Sequence, residues 1–175
     1  MISTPLLAIA IAAAVGSTQE LVAAPEGYSK VYITSNVNTK FVVQPKAASV
    51  GSTLVVQQLN GNPEQQWYIK AGKTKIQLVD TTWCMDAGLK ANWRNMANIN
   101  LANCSDAVDG QKWNAMADGR IALELSPQPP EQCLDLQYMR ATPGNAVGLY
   151  SCAGLGNTGA ADKGINFPLV NVTSP

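Results

Sequence analysis

A repeat of about 45 residues is the feature that most constrains the fold of this chain. Basic residues that open a short apolar motif stand at Lys30, Lys75 and Arg120, 45 residues apart in each case. A Gln-x-Trp motif ends at Trp67 and again at Trp113. In a third copy Phe167 takes the place of the tryptophan. Internal repetition at this period predicts supersecondary units that bury their apolar faces against one another.

The segments within each repeat have the composition of short strands. KVYI, KIQL and RIAL are brief and β-rich, and turn motifs such as NGNPE and ADGR separate the strands. Three repeats are too few for the usual β-propeller, whereas three four-stranded units close a single barrel, the β-trefoil. We therefore expect an all-β chain with one β-trefoil domain over residues 25–175 and pseudo-threefold repeats at about 27–71, 72–117 and 118–172.

Four cysteines divide evenly between the second and third repeats. Three pairings are possible in principle. The spacing, 20 residues in the second repeat and 19 in the third, favours the pairs Cys84–Cys104 and Cys133–Cys152. A bridge that closes a loop of this length stabilises a fold by about 3 kcal/mol if it is unstrained.

The N-terminus has the composition of a secretory signal peptide. The apolar run PLLAIAIAAAVG, residues 5–16, is followed by small residues, and we place the signal peptide at 1–18 with cleavage between 16 and 24. The run is short for a membrane span, which needs about 20 residues, and a buried N-terminal helix or strand is the alternative. Secretion suits the cysteines and the glycosylation sequon at Asn171.

Composition excludes several classes of function. The 12 basic and 12 acidic side chains balance, without a basic run, so nucleic acid is not an expected partner. Histidine is absent, which removes Ser-His-Asp and Cys-His catalysis and the commonest zinc ligand.

The motifs together resemble ricin B-type lectin domains, also called family 13 carbohydrate-binding modules, and especially small secreted fungal members. The resemblance is carried by Gln-x-Trp, by the triplets CMD and CLD, and by the spacing of the second cysteine in each repeat. It implies a β-trefoil with one shallow sugar site per repeat. It implies a carbohydrate partner, galactose-type or xylan-type, and requires no metal or cofactor.

The family pattern implies which residues would form each site. It uses the aspartate after the first cysteine, an aromatic residue two positions before the second, and a polar residue near Gln-x-Trp. The third repeat is the best match, with Asp135 and Tyr150. Gly164 and Ile165 replace its usual Asn-Gln pair, and we expect Asn157 of the inserted loop to compensate, with Asp162 as the alternative.

The second repeat is a weaker match. It has Asp86 and Gln111, but Ala102 stands at the aromatic position, so Trp93 is the candidate ring. Asp86 can equally serve as a turn residue that accepts backbone N–H bonds.

The first repeat lacks the pattern. The alignment puts Val43 at the aspartate position and Gln57 at the aromatic position, and leaves only Gln65. Phe41 and Leu59 fall at the cysteine positions, where an apolar pair would substitute for a buried disulfide.

Enzymatic activity is not expected. Glycoside hydrolysis needs two carboxyl groups roughly 5–10 Å apart, and threefold symmetry places Asp86 and Asp135 on separate faces. The main alternative to sugar binding is a β-trefoil protease inhibitor or another protein-binding trefoil, which would present the third-repeat loop or Ser126–Gln132 to its target. The sequence does not indicate an oligomeric state.

Overall fold

The structure, a computed structural model, describes residues 22–127 and 131–173. Short antiparallel strands form one continuous 13-stranded sheet, and 3-10 turns connect several of them. The strands are β1 (Ser29–Ser35), β2 (Asn38–Pro45), β3 (Leu54–Gln58), β4 (Trp67–Ile69), β5 (Gly72–Thr74), β6 (Gln77–Leu78), β7 (Trp83–Asp86), β8 (Asn100–Asn103), β9 (Trp113–Ala115), β10 (Ile121–Leu123), β11 (Gln132–Leu136), β12 (Ala146–Ser151) and β13 (Leu169–Asn171).

The 3-10 helices are single turns of three residues each. They recur just before the buried aromatic residue of every repeat and in the loops of the second and third repeats. They span Pro63–Gln65, Lys90–Asn92, Asp109–Gln111, Gln137–Met139, Leu155–Asn157, Gly159–Ala161 and Lys163–Ile165.

One long hairpin in each repeat carries the candidate site residues. The hairpins are β2–β3, β7–β8 and β11–β12, all antiparallel. The first and last strands meet, because β1 pairs with β13 as well as with β4. A further pairing of β12 with β3 joins the third repeat to the first. The all-β prediction is confirmed, and β4 and β5, like β9 and β10, lie on either side of a predicted repeat boundary.

The three repeats share one apolar core. Trp67, Trp113 and Phe167 supply one large ring each and are at most 1% exposed, which confirms them as core residues. The third repeat adds a small cluster in which Ile165 packs with the cysteines of β11 and the loop after β12. Burial of this kind is the dominant favourable contribution to folding.

Both predicted disulfides are present. Cys84 is bonded to Cys104 and Cys133 to Cys152, each bridge joining a hairpin strand to the residue that follows its partner strand. The proposed signal peptide lies outside the described residues. Among those described, no helix has the length and apolar character needed to cross a membrane.

Candidate functional site

Equivalent positions in the repeats can be assigned from hydrogen bonds. The indole N–H of Trp67 donates to the carbonyl of Val43 at 2.8 Å, and that of Trp113 donates to the carbonyl of Met85 at 3.2 Å. Val43 is therefore the counterpart of Met85, and the residue that follows, Gln44, is the counterpart of Asp86.

This assignment corrects the first repeat by one position. Val42, not Phe41, corresponds to the first cysteine, because Val42 pairs across its hairpin with Gln57 as Cys84 pairs with Ala102. The aspartate position is therefore Gln44 and not Val43. Leu59 keeps its assigned place but is 47% exposed, so the expected buried apolar pair is not formed.

In the second repeat the aspartate is held by two donors. One carboxylate oxygen of Asp86 accepts the backbone N–H of Gly88 at 2.7 Å, and the other accepts the side-chain amide of Gln111 at 3.0 Å. The same amide donates to the carbonyl of Asn103 at 2.9 Å. Gln111 is 1% exposed, so it holds Asp86 from the protein interior and does not face solvent.

Trp93 does not complete a site around Asp86. Its indole N–H donates to the carbonyl of Gly88 at 3.0 Å, and its ring packs against the core. Lys90 lies 6.0 Å from the centre of that ring. The surface depression next to Asp86 is lined by loop residues and not by Trp93.

The first repeat has a buried glutamine at the same position, but there it meets a second glutamine and not a carboxylate. The side-chain amide of Gln65 donates to the side-chain oxygen of Gln44 and to the carbonyl of Gln58, both at 2.9 Å. With two amides facing each other and Gln57 at the aromatic position, this hairpin lacks the charge and the ring of a sugar site.

The third repeat breaks this pattern. Ile165 occupies the position of Gln65 and Gln111 at the end of its 3-10 turn, and its side chain has no hydrogen-bond donor. Asp135 on β11 is only 7% exposed, yet within residues 22–127 and 131–173 no donor hydrogen-bonds to its carboxylate. Its oxygens are not among the described polar atoms that are wholly cut off from solvent, so a small part of the carboxylate reaches the surface. Such extensive burial without a donor still disfavours the charged form, which marks this position as unusual.

Asp135 lies in a small, mostly apolar pocket. Its volume is about 180 Å³, below the roughly 300–1,000 Å³ of pockets for drug-sized ligands, and suited to part of one small ring. Four of the lining side chains are large apolar or aromatic groups, each between 38% and 70% exposed. The lining residues are Met96, Asp135, Tyr138, Met139, Tyr150, Leu155 and Asp162.

The inserted loop contributes Asp162 and not Asn157. Asn157 is exposed and does not line the pocket, and its part in sugar binding stays a prediction. One oxygen of Asp162 accepts the backbone N–H of Leu155 at 2.6 Å, and the other accepts that of Gly164 at 2.8 Å. These bonds fold the loop back so that the second carboxylate faces the pocket.

The second repeat supplies one wall of the third-repeat pocket. The backbone N–H of Met96 donates to the carbonyl of Leu149 at 2.7 Å, and the N–H of Leu149 donates to the carbonyl of Ala97 at 2.9 Å. Gly148 permits this approach, because a Cβ there would lie 2.4 Å from the carbonyl oxygen of Ala97. The pocket therefore belongs to two repeats together.

Three of the pocket residues have left-handed backbone conformations. Their φ values are 70° for Met96, 57° for Tyr138 and 50° for Met139. Non-glycine residues rarely adopt this region, and such strain tends to concentrate at functional sites. The segment that presents these side chains is thus held in a conformation that secondary structure alone does not require.

Burial controls the charge of the site. Desolvation, followed by repulsion from Asp162, raises the pKa of Asp135 to about 7. The carboxyl group therefore exchanges its proton near neutral pH, where most aspartates are ionised.

Reasoning from sequence missed most of the apolar wall. Met96, Tyr138, Met139 and Leu155 carry no family motif, and they reach the pocket through loop conformations. One signal was present in the sequence: QYM follows CLDL directly and places two large side chains just after the aspartate strand, in a turn.

Comparisons with known proteins agree with this architecture. A family model for the ricin-type beta-trefoil lectin domain matches residues 29–124, more than half of the chain. No curated protein sequence matches the chain.

Solved structures similar to this chain are β-trefoils. The designed threefold-symmetric protein ThreeFoil has a TM-score of 0.64 and 19% identity, covering 84% of this chain and 100% of that one. The C-half of the earthworm R-type lectin, in complex with GalNAc, has a TM-score of 0.60 and 18% identity, with coverage of 82% and 99%. The beta-trefoil lectin of the Vibrio vulnificus hemolysin/cytolysin, with N-acetyl-D-lactosamine bound, has 0.61 and 11%, with 86% and 99%.

These likenesses confirm the β-trefoil fold. The family match, together with the three equivalent hairpins and the Gln-x-Trp motifs of the first two repeats, shows that the chain belongs to the family of ricin-type beta-trefoil lectin domains.

Proposed function

We propose that the chain is a secreted carbohydrate-binding protein whose sugar site is the third-repeat pocket formed by Asp135, Tyr150 and Asp162. The observation that carries the proposal is that Asp135, 7% exposed and without a hydrogen-bond donor among the described residues, lines a pocket next to a partly exposed tyrosine. The signal peptide at 1–18 and the sequon at Asn171, which is exposed on β13, remain part of the same proposal.

The chemistry of the pocket suits one face and one edge of a sugar ring. A tyrosine ring and thioether side chains bury the C–H groups of the sugar, which releases water from apolar surface. A carboxylate accepts charge-assisted hydrogen bonds from adjacent hydroxyl groups. Tyr150 and Asp135 lie on neighbouring strands, since Tyr150 pairs with Cys133 and Asp135 pairs with Gly148.

The other two repeats fit this role less well. Asp86 has donors for both oxygens and no ring at Ala102, and Gln44 carries no charge. One pocket of this size supports weak binding, in the range of about 1 mM to 1 µM, or roughly 4–8 kcal/mol. Tight binding to cell surfaces would then require several copies, through avidity.

Binding without catalysis accounts for the second carboxylate. Both oxygens of Asp162 already accept backbone N–H groups that hold the loop, at 2.6 and 2.8 Å. We therefore assign Asp162 to shaping and charging the pocket, with no hydrolytic step.

The experiment is a glycan array on the mature protein, followed by calorimetry with the best ligand. Asp135→Asn and Tyr150→Ala should each weaken binding about tenfold or more. The matched controls are Asp86→Asn and Gln57→Ala, which change the equivalent positions of the other repeats and should leave affinity within twofold.

Two results would overturn the proposal. Unchanged affinity in both third-repeat variants would move the site elsewhere. Failure to bind any glycan, together with inhibition of a protease panel that survives Asp135→Asn, would favour the inhibitor alternative.

A further inference from the structure

The third-repeat pocket has two carboxyl groups and no basic side chain among the described residues that line it. Asp135 and Asp162 provide its acidic groups, and the remaining walls are tyrosine, methionine and leucine. An ionised carboxylate only accepts hydrogen bonds, whereas sugar hydroxyls both donate and accept. Two adjacent carboxylates are therefore best matched by a ligand group that donates hydrogen bonds and accepts none.

Nearby cations do not neutralise the pair. Arg140 packs over the ring of Tyr138 with 5.6 Å between its guanidinium carbon and the ring centre, and Lys163 is exposed. Neither side chain hydrogen-bonds to Asp135 or Asp162. The two acids therefore have no side-chain cation as a partner among the described residues, although Asp162 accepts two backbone N–H groups. A ligand that brings positive charge would relieve the remaining repulsion.

The space between the two carboxyl groups is kept open by a glycine. A Cβ added at Gly164 would lie 3.3 Å from Oδ1 of Asp135, 3.1 Å from Oδ1 of Asp162 and 2.9 Å from Cγ of Met139. Both acidic groups therefore border the same small volume, next to an apolar wall.

We propose that this pocket selects a sugar that carries a free, protonated amino group, a hexosamine, over its neutral and N-acetylated counterparts. An ammonium group has three donors and no acceptor, which fits two facing carboxylates, while the tyrosine and methionine walls receive the sugar ring and favour a cation. This inference rests on the proposed sugar site in the third repeat and specifies its ligand.

The pH dependence provides an internal check. Because the pKa of Asp135 lies at about 7, the group carries a proton at pH 5.5 and is mostly ionised at pH 7.5 and above. An ammonium ligand favours the ionised form, so its advantage over a neutral sugar should grow between pH 5.5 and pH 7.5. The titratable groups that line the pocket together with Asp135 are Asp162, Tyr138 and Tyr150.

The test is calorimetry with matched sets of sugars: galactosamine, galactose and N-acetylgalactosamine, and the corresponding glucose series. At pH 7.5 we expect the amine to bind at least tenfold more tightly than either counterpart. At pH 5.5 the preference should fall to threefold or less. Raising the salt concentration should weaken amine binding more than neutral binding.

Two variants test whether the two carboxyl groups cause the preference for the amine. Asp162→Asn should reduce it to threefold or less, measured as the ratio of amine affinity to neutral-sugar affinity within that same variant. Asp135→Asn should abolish it as well. This variant is informative even if Asp162→Asn fails to fold, because no hydrogen bond joins the Asp135 side chain to the described loop residues. Asp86→Asn in the second repeat is the control and should keep the full preference.

The outcomes separate this inference from the proposed function. Equal affinity for amine and neutral sugars, lost in Tyr150→Ala, would overturn the amine preference and leave the sugar site standing. An amine preference that persists in both third-repeat aspartate variants would overturn the assignment of the two carboxylates. No binding to any member of either series would overturn the proposed function and this inference together.

Discussion

The second and third repeats carry the same cysteine-x-aspartate triplet on equivalent strands, yet the two aspartates have opposite environments. Asp86 accepts hydrogen bonds from Gly88 and from Gln111. Asp135 is buried without such a donor, because Ile165 stands where Gln111 would reach it. One buried position, glutamine in one repeat and isoleucine in the other, decides whether the aspartate has a side-chain donor.

The largest difference between the two repeats should appear when their disulfides are removed. We expect loss of Cys133–Cys152 by double alanine substitution to lower the free energy of unfolding by about 3–5 kcal/mol. Loss of Cys84–Cys104 should lower it by about 2–3 kcal/mol. The third-repeat bridge is 0–4% exposed and packs on Ile165, whereas Cys104 is partly exposed. Urea unfolding of both variants measures this, and the reverse order would contradict it.

The two aspartates should respond to neutralisation with opposite signs. The raised pKa of Asp135 means that the folded state disfavours its charged form. Its contribution to stability is therefore fully present below about pH 4 and is lost as the pH rises through about 7. Asp135→Asn should thus stabilise the protein at pH 8, by up to about 4 kcal/mol, and change little at pH 4.

Asp86→Asn provides the comparison. It replaces an acceptor of two hydrogen bonds, and it should destabilise the protein at pH 8 by about 1–3 kcal/mol. Thermal melts of both variants at pH 4 and pH 8 check the pair. Destabilisation by Asp135→Asn at pH 8 would contradict the account of a buried, unpartnered carboxylate.

Substitution of Ile165 by glutamine should give Asp135 an environment like that of Asp86, and the reciprocal change at Gln111 should do the opposite. Ile165→Gln supplies an amide donor below Asp135, and it should lower the pKa of that carboxyl by about one unit or more. The measurement is a carbon NMR titration of the aspartate side chains. The reciprocal variant, Gln111→Ile, should destabilise the protein by about 2 kcal/mol, because it leaves the Asp86 carboxylate without its side-chain donor. An unshifted Asp135 in a folded Ile165→Gln variant would show that desolvation alone sets its pKa.

The smallest effect concerns the inserted loop. Asn157 is exposed, outside the pocket, and left-handed at φ 58°, a conformation that glycine adopts freely. Asn157→Gly should therefore leave sugar affinity within twofold and the melting temperature nearly unchanged. A fivefold loss of affinity would show that Asn157 takes part in sugar binding.

Much of the fold was predictable because repetition makes every signal appear more than once. The two Gln-x-Trp motifs, the cysteine spacings and the strand-like segments support one another, and each alone would be weak. The first repeat shows the limit of this approach. Without cysteines to fix the register, the alignment placed Phe41 instead of Val42. The indole bond from Trp67 to Val43 and the pairing of Val42 with Gln57 settle the shift.

The candidate site was predictable only where its residues follow the repeat. Asp135 and Tyr150 sit on a hairpin, so their places follow from the register of two strands. The residues that distinguish this pocket come from connections between strands, where backbone conformation decides direction. Asn157 and Asp162 are five positions apart in one loop, and two backbone hydrogen bonds to Asp162 turn it inward. Composition does not reveal such a choice.

The close approach of Gly148 to Ala97 has a consequence for how ligand binding spreads through the molecule. Met96 belongs to the second repeat, but its amide is bonded to Leu149 and its side chain lines the third-repeat pocket. Occupancy of that pocket should therefore slow hydrogen–deuterium exchange at the Met96 amide more than at Gly88, which lies in the same repeat beside Asp86. A ligand bound in the third-repeat pocket would in this way also stabilise part of the second repeat.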